Sequence, residues 1–238
     1  MNIVSEELVV DVSQDWAIAR DVQQGFMQGL SPVINNLEYC ARCRQMLELG
    51  GDCYDLVPLP ENRLAVAVGD ASGKALAAAL MIANVQSSLR TALLLTGAEG
   101  PLMLRAVNRQ VHAASLSDRY ATLFCGVFNG ETRTLGYVNA GHNPPMVVRP
   151  ENSIIWLETR GAPVGIFPDW AYEERPTELK RGDLLLAYTD GMIEAANPAA
   201  EELGLEGLRK AVLPIPCLRL RAASARCCER WRRRGHTQ

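Results

Sequence analysis

Four aspartates sit where this chain breaks or turns. Asp70 follows directly on the apolar run at residues 63–69 (RLAVAVG), and Asp190 follows the apolar residues 184–188; each opens a turn that contains glycine. Asp52 and Asp55 come immediately after the break at Gly50-Gly51. Carboxylates presented from strand ends by glycine turns supply the hard oxygen ligands that divalent cations take. One Asp-Gly pair is only a turn, whereas three such sites on apolar strands form a constellation. A phosphate loop does not account for Gly69 to Ala75. That motif needs four residues between its glycines and a Ser or Thr after the lysine; here three residues separate Gly69 from Gly73, and Ala75 follows Lys74.

Other chemistry-bearing residues give weaker signals. His142 lies in a turn and suits either proton transfer or the orientation of a loop. Cys40-Ala41-Arg42-Cys43 has zinc-like spacing but neither a second cysteine pair nor a histidine cluster, so it reads as strand packing. Lys74 is placed to touch phosphate or to be simply solvated.

Several elements must position these residues. Leu8, Val12, Trp16, Ala19, Val22, Phe26 and Leu30 recur every three or four positions, one stripe of an amphipathic helix that Ser31-Pro32 ends. Residues 37–44 look extended. Residues 63–69 read as a strand buried on both faces, followed by a loop at 70–74. Residues 75–95, rich in Ala and Leu, favour a long buried helix, and 101–116 a second with Pro101 near its first turn. Strands follow at 121–128, 134–139, 146–149, 153–157, 172–179 and 183–188, with a hairpin signal at Asn129-Gly130. A helix closes the series at 201–212. Runs of strands beside paired helices predict an α+β fold with largely antiparallel sheets.

Composition excludes other classes. The 238 residues suit one domain with an appendage, and 48% apolar residues permit a sizeable core. Residues 213–238 carry seven arginines and one acid, reading as a solvated, disordered basic tail. Residues 1–212 carry 17 basic and 26 acidic residues, a net −9 that does not suit a nucleic-acid surface but is compatible with divalent cations. The longest uncharged apolar run, residues 75–83, is far short of the roughly 20 residues of a membrane span. The opening residues MNIVSEE carry no early basic residue, so a secretory signal is not expected. Seven irregularly spaced cysteines fit reduced thiols, so a cytoplasmic protein is expected.

Read together, the motifs resemble one family. Gly50-Gly51-Asp52-Cys53-Tyr54-Asp55 resembles the GGDYYD motif of the SpoIIE/RsbU branch of PPM-type (type 2C-like) serine/threonine phosphatases. Gly69-Asp70-Ala71-Ser72-Gly73-Lys74 is similar to its GDVSGKG. Asn139-Ala140-Gly141-His142-Asn143-Pro144-Pro145 is similar to its NAGHNPP, and Tyr188-Thr189-Asp190-Gly191 with Glu194-Ala195 to its YTDGxxEA. Ala121-Thr122-Leu123-Phe124 and Gly161-Ala162-Pro163-Val164-Gly165 match weaker spacers. The match runs in order over roughly residues 15–210.

The resemblance implies a four-layer α-β-β-α sandwich, two mainly antiparallel sheets flanked by helices, with two Mn²⁺ or Mg²⁺ ions in a cleft at one edge. Carried over by motif, Asp70 would bridge both ions, Asp190 would hold one and Asp52 the other, with the backbone carbonyl of Ala71 as a further ligand. Lys74, His142 and Asn143 become substrate-binding candidates. The implied activity is hydrolysis of phosphoserine or phosphothreonine by metal-activated water, on an anti-sigma-factor antagonist of the STAS type in bacterial partner switching. The rival reading is a catalytically weak module that binds the same partner. Three departures bear on it. Ala75 replaces the glycine after Lys74, Cys53 replaces an aromatic residue, and no aspartate follows Asp190, leaving Glu202, Glu206 or water to complete the metal shell. The division expected is 1–31 as a linker or dimerisation helix, 32–212 as the phosphatase domain and 213–238 as the tail. With no sensor domain ahead of Met1, a separate regulatory protein or the N-terminal helix, acting in a homodimer, is expected to carry the activating signal.

Overall fold

The structure, a computed structural model, describes residues 13–27, 33–45, 47–115, 119–158 and 160–213. The start and end of the expected N-terminal stripe (Leu8, Val12, Leu30), the Ser31-Pro32 break and the basic tail beyond Leu213 lie outside the described residues.

The elements, in chain order, are α1 (Ser13–Met27), β1 (Asp52–Leu59), β2 (Arg63–Ala71), α2 (Ala75–Leu95), α3 (Gly100–Ala114), β3 (Ala121–Asn129), β4 (Thr134–Ala140), β5 (Met146–Val148), β6 (Ile154–Trp156), β7 (Arg175–Glu178), β8 (Leu184–Leu186), α4 (Asp190–Ile193) and α5 (Gly204–Val212). Five strands form one sheet in the order β1-β2-β3-β4-β7, and three form a second in the order β6-β5-β8. Every pairing between these strands is antiparallel.

Alternation along the central strands builds the layers. On β2, Ala65, Ala67 and Ala71 face the cluster made with α2 and α3, while Leu64 and Val66 face the second sheet. On β3, Ala121, Leu123 and Cys125 take the helix side, and Phe124 and Phe128 the inter-sheet side. This period of two is what a strand buried on both faces requires. The inter-sheet core adds Leu135, Tyr137, Val147 and Leu157, and α5 covers the outer face of the small sheet through Leu208 and Val212 beside Met146, Val148 and Tyr188. The result is the α-β-β-α sandwich.

Helix α2 has the expected boundaries. It is long and apolar enough to cross a membrane, yet half of it is buried inside the protein, with Ile82, Val85 and Leu89 almost wholly enclosed. Burial against the sheet is what an apolar core helix shows.

Three local departures stand out. β1 is a strand although its sequence (DCYDLVPL) carries two acids and Pro58; it is an edge strand, where proline is tolerated. Residues 38–44 join no ladder, and only Leu37 bridges Ile34. The β3–β4 hairpin forms as expected, its turn at residues 130–133 held by the Asn129 side chain, which accepts the N–H groups of Glu131 and Thr132 at 2.9 and 3.1 Å. α5 starts at Gly204, not 201, because Asn197 closes a turn by accepting the N–H groups of Ala199 and Glu201.

α1 docks through a face that overlaps the apolar stripe only at the half-buried Trp16 and Ala19. Its buried residues are Gln23 and Met27, whereas Val22 and Phe26 are exposed by 53% and 41%. The Gln23 side chain both donates to the Gly50 carbonyl (2.7 Å) and accepts from the Gly50 N–H (3.2 Å).

Candidate metal centre

Three of the four aspartates converge. Asp52 is the first residue of β1 and Asp70 the last but one of β2, and the two are direct register partners. Residues directly opposite in an antiparallel pair project from the same face with Cβ atoms about 5 Å apart. Asp190 arrives from the second sheet, as the first residue of α4 after β8. One carboxylate oxygen from each of Asp52, Asp70 and Asp190 lies within 4.8 Å of the others.

Asp55 does not join them. Three residues along the strand from Asp52, it points to the opposite face, where it is buried and receives a bidentate Arg90 guanidinium (Nε 2.7 Å, Nη2 2.9 Å). Arg90 also donates to the Phe26 carbonyl at 2.9 Å, so this pair clamps α1, α2 and β1 together.

Among the described residues, no cation offsets the charge at Asp52 or Asp70. Burial pushes the Asp70 carboxyl up to about 7, with Asp52, Asp190 and Glu194 adding repulsion. Burial also raises Asp52; a hydrogen bond from Thr189 opposes this, and Asp190 adds to it. Glu194 caps α4 and donates its N–H to the Asp190 carbonyl at 2.9 Å. Glu202 and Glu206, expected as possible replacements for a late aspartate, are not in the cluster: Glu206 pairs with Arg209 at 3.0 Å on its own helix, and Glu202 bridges Ala196.

The backbone around the carboxylates is built for close approach. A Cβ on Gly51 would lie 2.8 Å from the Ala71 carbonyl oxygen and 3.2 Å from Asp70 Oδ1. Those two oxygens thus face a cradle that any side chain would fill. An all-oxygen set of carboxylates and a carbonyl fits Mg²⁺ or Mn²⁺ in preference to softer ions. Gln45 supports the turn by donating to the Asp52 carbonyl at 2.8 Å. The loop after Ala71 is fixed from β3: Ser72 N–H donates to the Tyr120 carbonyl (2.8 Å), and Tyr120 N–H donates to Ser72 Oγ (2.9 Å). Ala75, in the family's glycine position, has φ +50°, a left-handed conformation that costs an L-residue about 1 kcal/mol.

The substrate-binding candidates part company. Lys74 is exposed at the N-cap of α2, and Asn143 is half-buried in the loop after β4. His142 is buried, with both ring nitrogens engaged. Its Nε2 lies 3.1 Å from the Tyr188 carbonyl, which can only accept, so Nε2 carries the proton; Nδ1 then accepts from the Thr122 hydroxyl at 2.9 Å. Burial lowers its pKa to about 4, so the ring is neutral. These contacts leave His142 no ring nitrogen for a substrate. It ties β3 and β4 to the residues that lead into Asp190. Gln45 carries no sequence signal that separates it from an ordinary polar residue, whereas Thr122, Thr189 and Glu194 fall within the matched motifs, which do not say what each side chain contacts.

Comparison with known proteins places the chain in a family. Residues 60–236 match the family described as Stage II sporulation protein E (SpoIIE). Protein IcfG of Synechocystis sp. is 27% identical over 218 residues, 79% of this chain and 34% of that protein. Phosphoserine phosphatase RsbU of Bacillus subtilis is 26% identical over 185 residues, 77% of this chain and 55% of that protein. The chain thus spans between a third and about half the length of these relatives. In fold it is similar to the SiaA-PP2C domain of Pseudomonas aeruginosa, with a TM-score of 0.77 at 14% identity over 95% of this chain and 92% of that one.

Proposed function

This chain belongs to the SpoIIE family, and from that premise we propose that it is a metal-dependent protein phosphatase hydrolysing phosphoserine or phosphothreonine. One observation carries the reading: three carboxylates from two sheets meet within 4.8 Å, two of them as direct strand partners. A relative matched over 77% of the chain bears the name phosphoserine phosphatase, which supports it.

Asp52, Asp70, Asp190 and the Ala71 carbonyl would hold two Mn²⁺ or Mg²⁺ ions. Bound there, the ions lower the pKa of water and offset charge on the phosphoryl oxygens. The chain's own residues set the geometry. The β1–β2 register fixes Asp52 against Asp70, Gly51 keeps the space before Ala71 open, and Thr189 orients the Asp52 carboxylate. His142 is a positioning residue, holding the Tyr188 backbone from which Thr189 and Asp190 follow. Lys74 and Asn143 are assigned to contact the phosphorylated protein.

We assign residues 32–212 as the phosphatase domain and the N-terminal helix as a linker that mediates a homodimer, with a basic tail after it. The substrate assigned is an anti-sigma-factor antagonist of the STAS type in bacterial signalling. Free thiols at Cys40, Cys43, Cys53 and Cys125 accord with a cytoplasmic setting. A catalytically weak module binding the same partner is the second reading; it is favoured by Glu206 being committed to Arg209 where the chain has no later aspartate.

The deciding experiment is hydrolysis of p-nitrophenyl phosphate with Mn²⁺. Turnover that EDTA abolishes, and that Asp70→Asn or Asp190→Asn lowers by at least about 10²-fold with the fold intact, is expected. Undiminished turnover in excess EDTA overturns the metal reading. Metal-dependent binding of the phosphoprotein without turnover selects the second one.

A further inference from the structure

We propose that residues 161–170, together with Arg119 and Tyr120, form the ledge on which the phosphorylated protein substrate is seated; this rests on the phosphatase reading above and names its docking surface. The segment is irregular, yet its backbone is pinned from below. Asn108, fully buried on α3, donates to the carbonyls of Phe167 (2.7 Å) and Pro168 (3.2 Å) and accepts the Gly165 N–H (2.8 Å). His112 Nδ1 donates to the Gly165 carbonyl at 2.8 Å, and Val164 exchanges both backbone hydrogen bonds with Ala121.

This fixed backbone holds apolar groups out to water. Phe167 is exposed by 53%, Trp170 by 37%, Tyr120 by 38% and Ile166 by 36%. Phe167 and Trp170 stack with ring centroids 5.8 Å apart. Exposed aromatic groups beside arginines are the composition of interface centres and hot spots.

The ledge is continuous with the metal centre. Tyr120 and Ser72 exchange two hydrogen bonds, two residues past Asp70, and the Arg119 guanidinium lies against Gly73. A Cβ on Gly165 would lie 3.1 Å from the Arg119 carbonyl. A protein gripping the ledge therefore has its phosphoserine within reach of the carboxylate cluster.

Charge selects the occupant. Residues 1–212 are strongly acidic overall, yet Arg105 and Arg109 lie beside Asp169 on the ledge, and the Arg119 guanidinium lies against Gly73, the residue before Lys74. The ledge's one acid, Asp169, is paired with Arg109 at 2.8 Å. Basic groups beside an apolar centre fit a folded phosphoprotein with an acidic, partly apolar surface near its phosphoserine.

The test uses the full chain, with a STAS-domain protein phosphorylated on serine and p-nitrophenyl phosphate as the two probes. A Phe167→Ala/Trp170→Ala variant is expected to raise KM for the phosphoprotein about tenfold or more, with p-nitrophenyl phosphate turnover unchanged. Added salt is expected to raise the wild-type KM for the phosphoprotein alone. Equal KM for wild type and variant overturns the ledge. So does a variant that changes only the mass seen by light scattering, since the face then joins two copies. A wild-type protein that hydrolyses p-nitrophenyl phosphate but neither binds nor dephosphorylates the STAS protein overturns the docking proposal and leaves the phosphatase reading standing. Loss of both activities with binding retained at the ledge sinks the phosphatase reading instead.

Discussion

Asp52 and Asp70 face each other directly across the β1–β2 ladder, so the fold places two carboxylates on one face at the distance where like charges repel. Asp190 adds a third from the other sheet. A divalent cation converts that repulsion into attraction, and without one a proton does the same work at Asp70, whose carboxyl rises to about 7.

That shift has a definite sign. The folded, metal-free protein keeps a proton on Asp70 that the unfolded chain has lost above about pH 4, so this group's stabilisation falls as pH rises from about 4 to 7. His142 works oppositely: its pKa is lowered to about 4, so its contribution is lost as pH falls from 6.5 toward 4. The difference between wild type and Asp70→Asn isolates the first effect. In EDTA the variant is expected to gain on wild type as pH rises, reaching about 1 kcal/mol above pH 7. With Mn²⁺ the order reverses, because only wild type binds fully. Melting temperatures that differ by a constant amount at every pH exclude the uncompensated cluster.

His142 supports a prediction about positioning. Truncation to Ala leaves the Tyr188 carbonyl and Thr122 hydroxyl without their partner, at a cost of about 1–3 kcal/mol. Because Asp190 lies two residues beyond Tyr188, half-saturating Mn²⁺ is expected to rise about tenfold or more. Gln, which offers a donor and an acceptor, is expected to restore part of both effects. A destabilised variant with wild-type metal affinity reduces His142 to packing alone.

How legible was this site? Asp52, Asp70 and Asp190 stand out because strand-end carboxylates beside glycines leave a local pattern. The span of α2 was readable from its composition, and β2 from its short, nearly all-apolar run. β1 was not, since an edge strand carrying Pro58 and two acids has no apolar period. Asp55 is indistinguishable from Asp52 in the motif; only strand parity and the half-buried Arg90, 35 residues away, separate them. Gln45 and Thr189 act through contacts that a linear pattern does not contain.

Ala75 tests backbone strain at the site. It occupies φ +50° at the start of α2, where glycine pays no Cβ penalty. Ala75→Gly relieves about 1–2 kcal/mol of strain and returns about 0.4–1 kcal/mol through the looser unfolded chain, so net stabilisation of about 0.5–1 kcal/mol is expected. Denaturant midpoints measure it. A Gly variant that is less stable by the same margin places Ala75 outside the strained region.

The last prediction concerns α1. Its contacts with the domain run through Gln23 on Gly50, Arg20 on Glu48 and the Phe26 carbonyl on Gln86 and Arg90. Ile18, Val22 and Phe26, spaced four residues apart, remain exposed by 53%, 53% and 41% along one line of the helix. Leaving such a stripe in water costs about 25 cal/mol per Å², which a second copy of the helix removes symmetrically. Val22→Asp sets a charge in the middle of that stripe without disturbing the buried Gln23 and Met27. It is expected to shift the protein toward monomer in light scattering. Since Arg90 joins the Phe26 carbonyl to Asp55 on the strand that bears Asp52, turnover of p-nitrophenyl phosphate should change with it. Equal mass and equal turnover for wild type and variant would show that α1 serves only to cover β1 and α2.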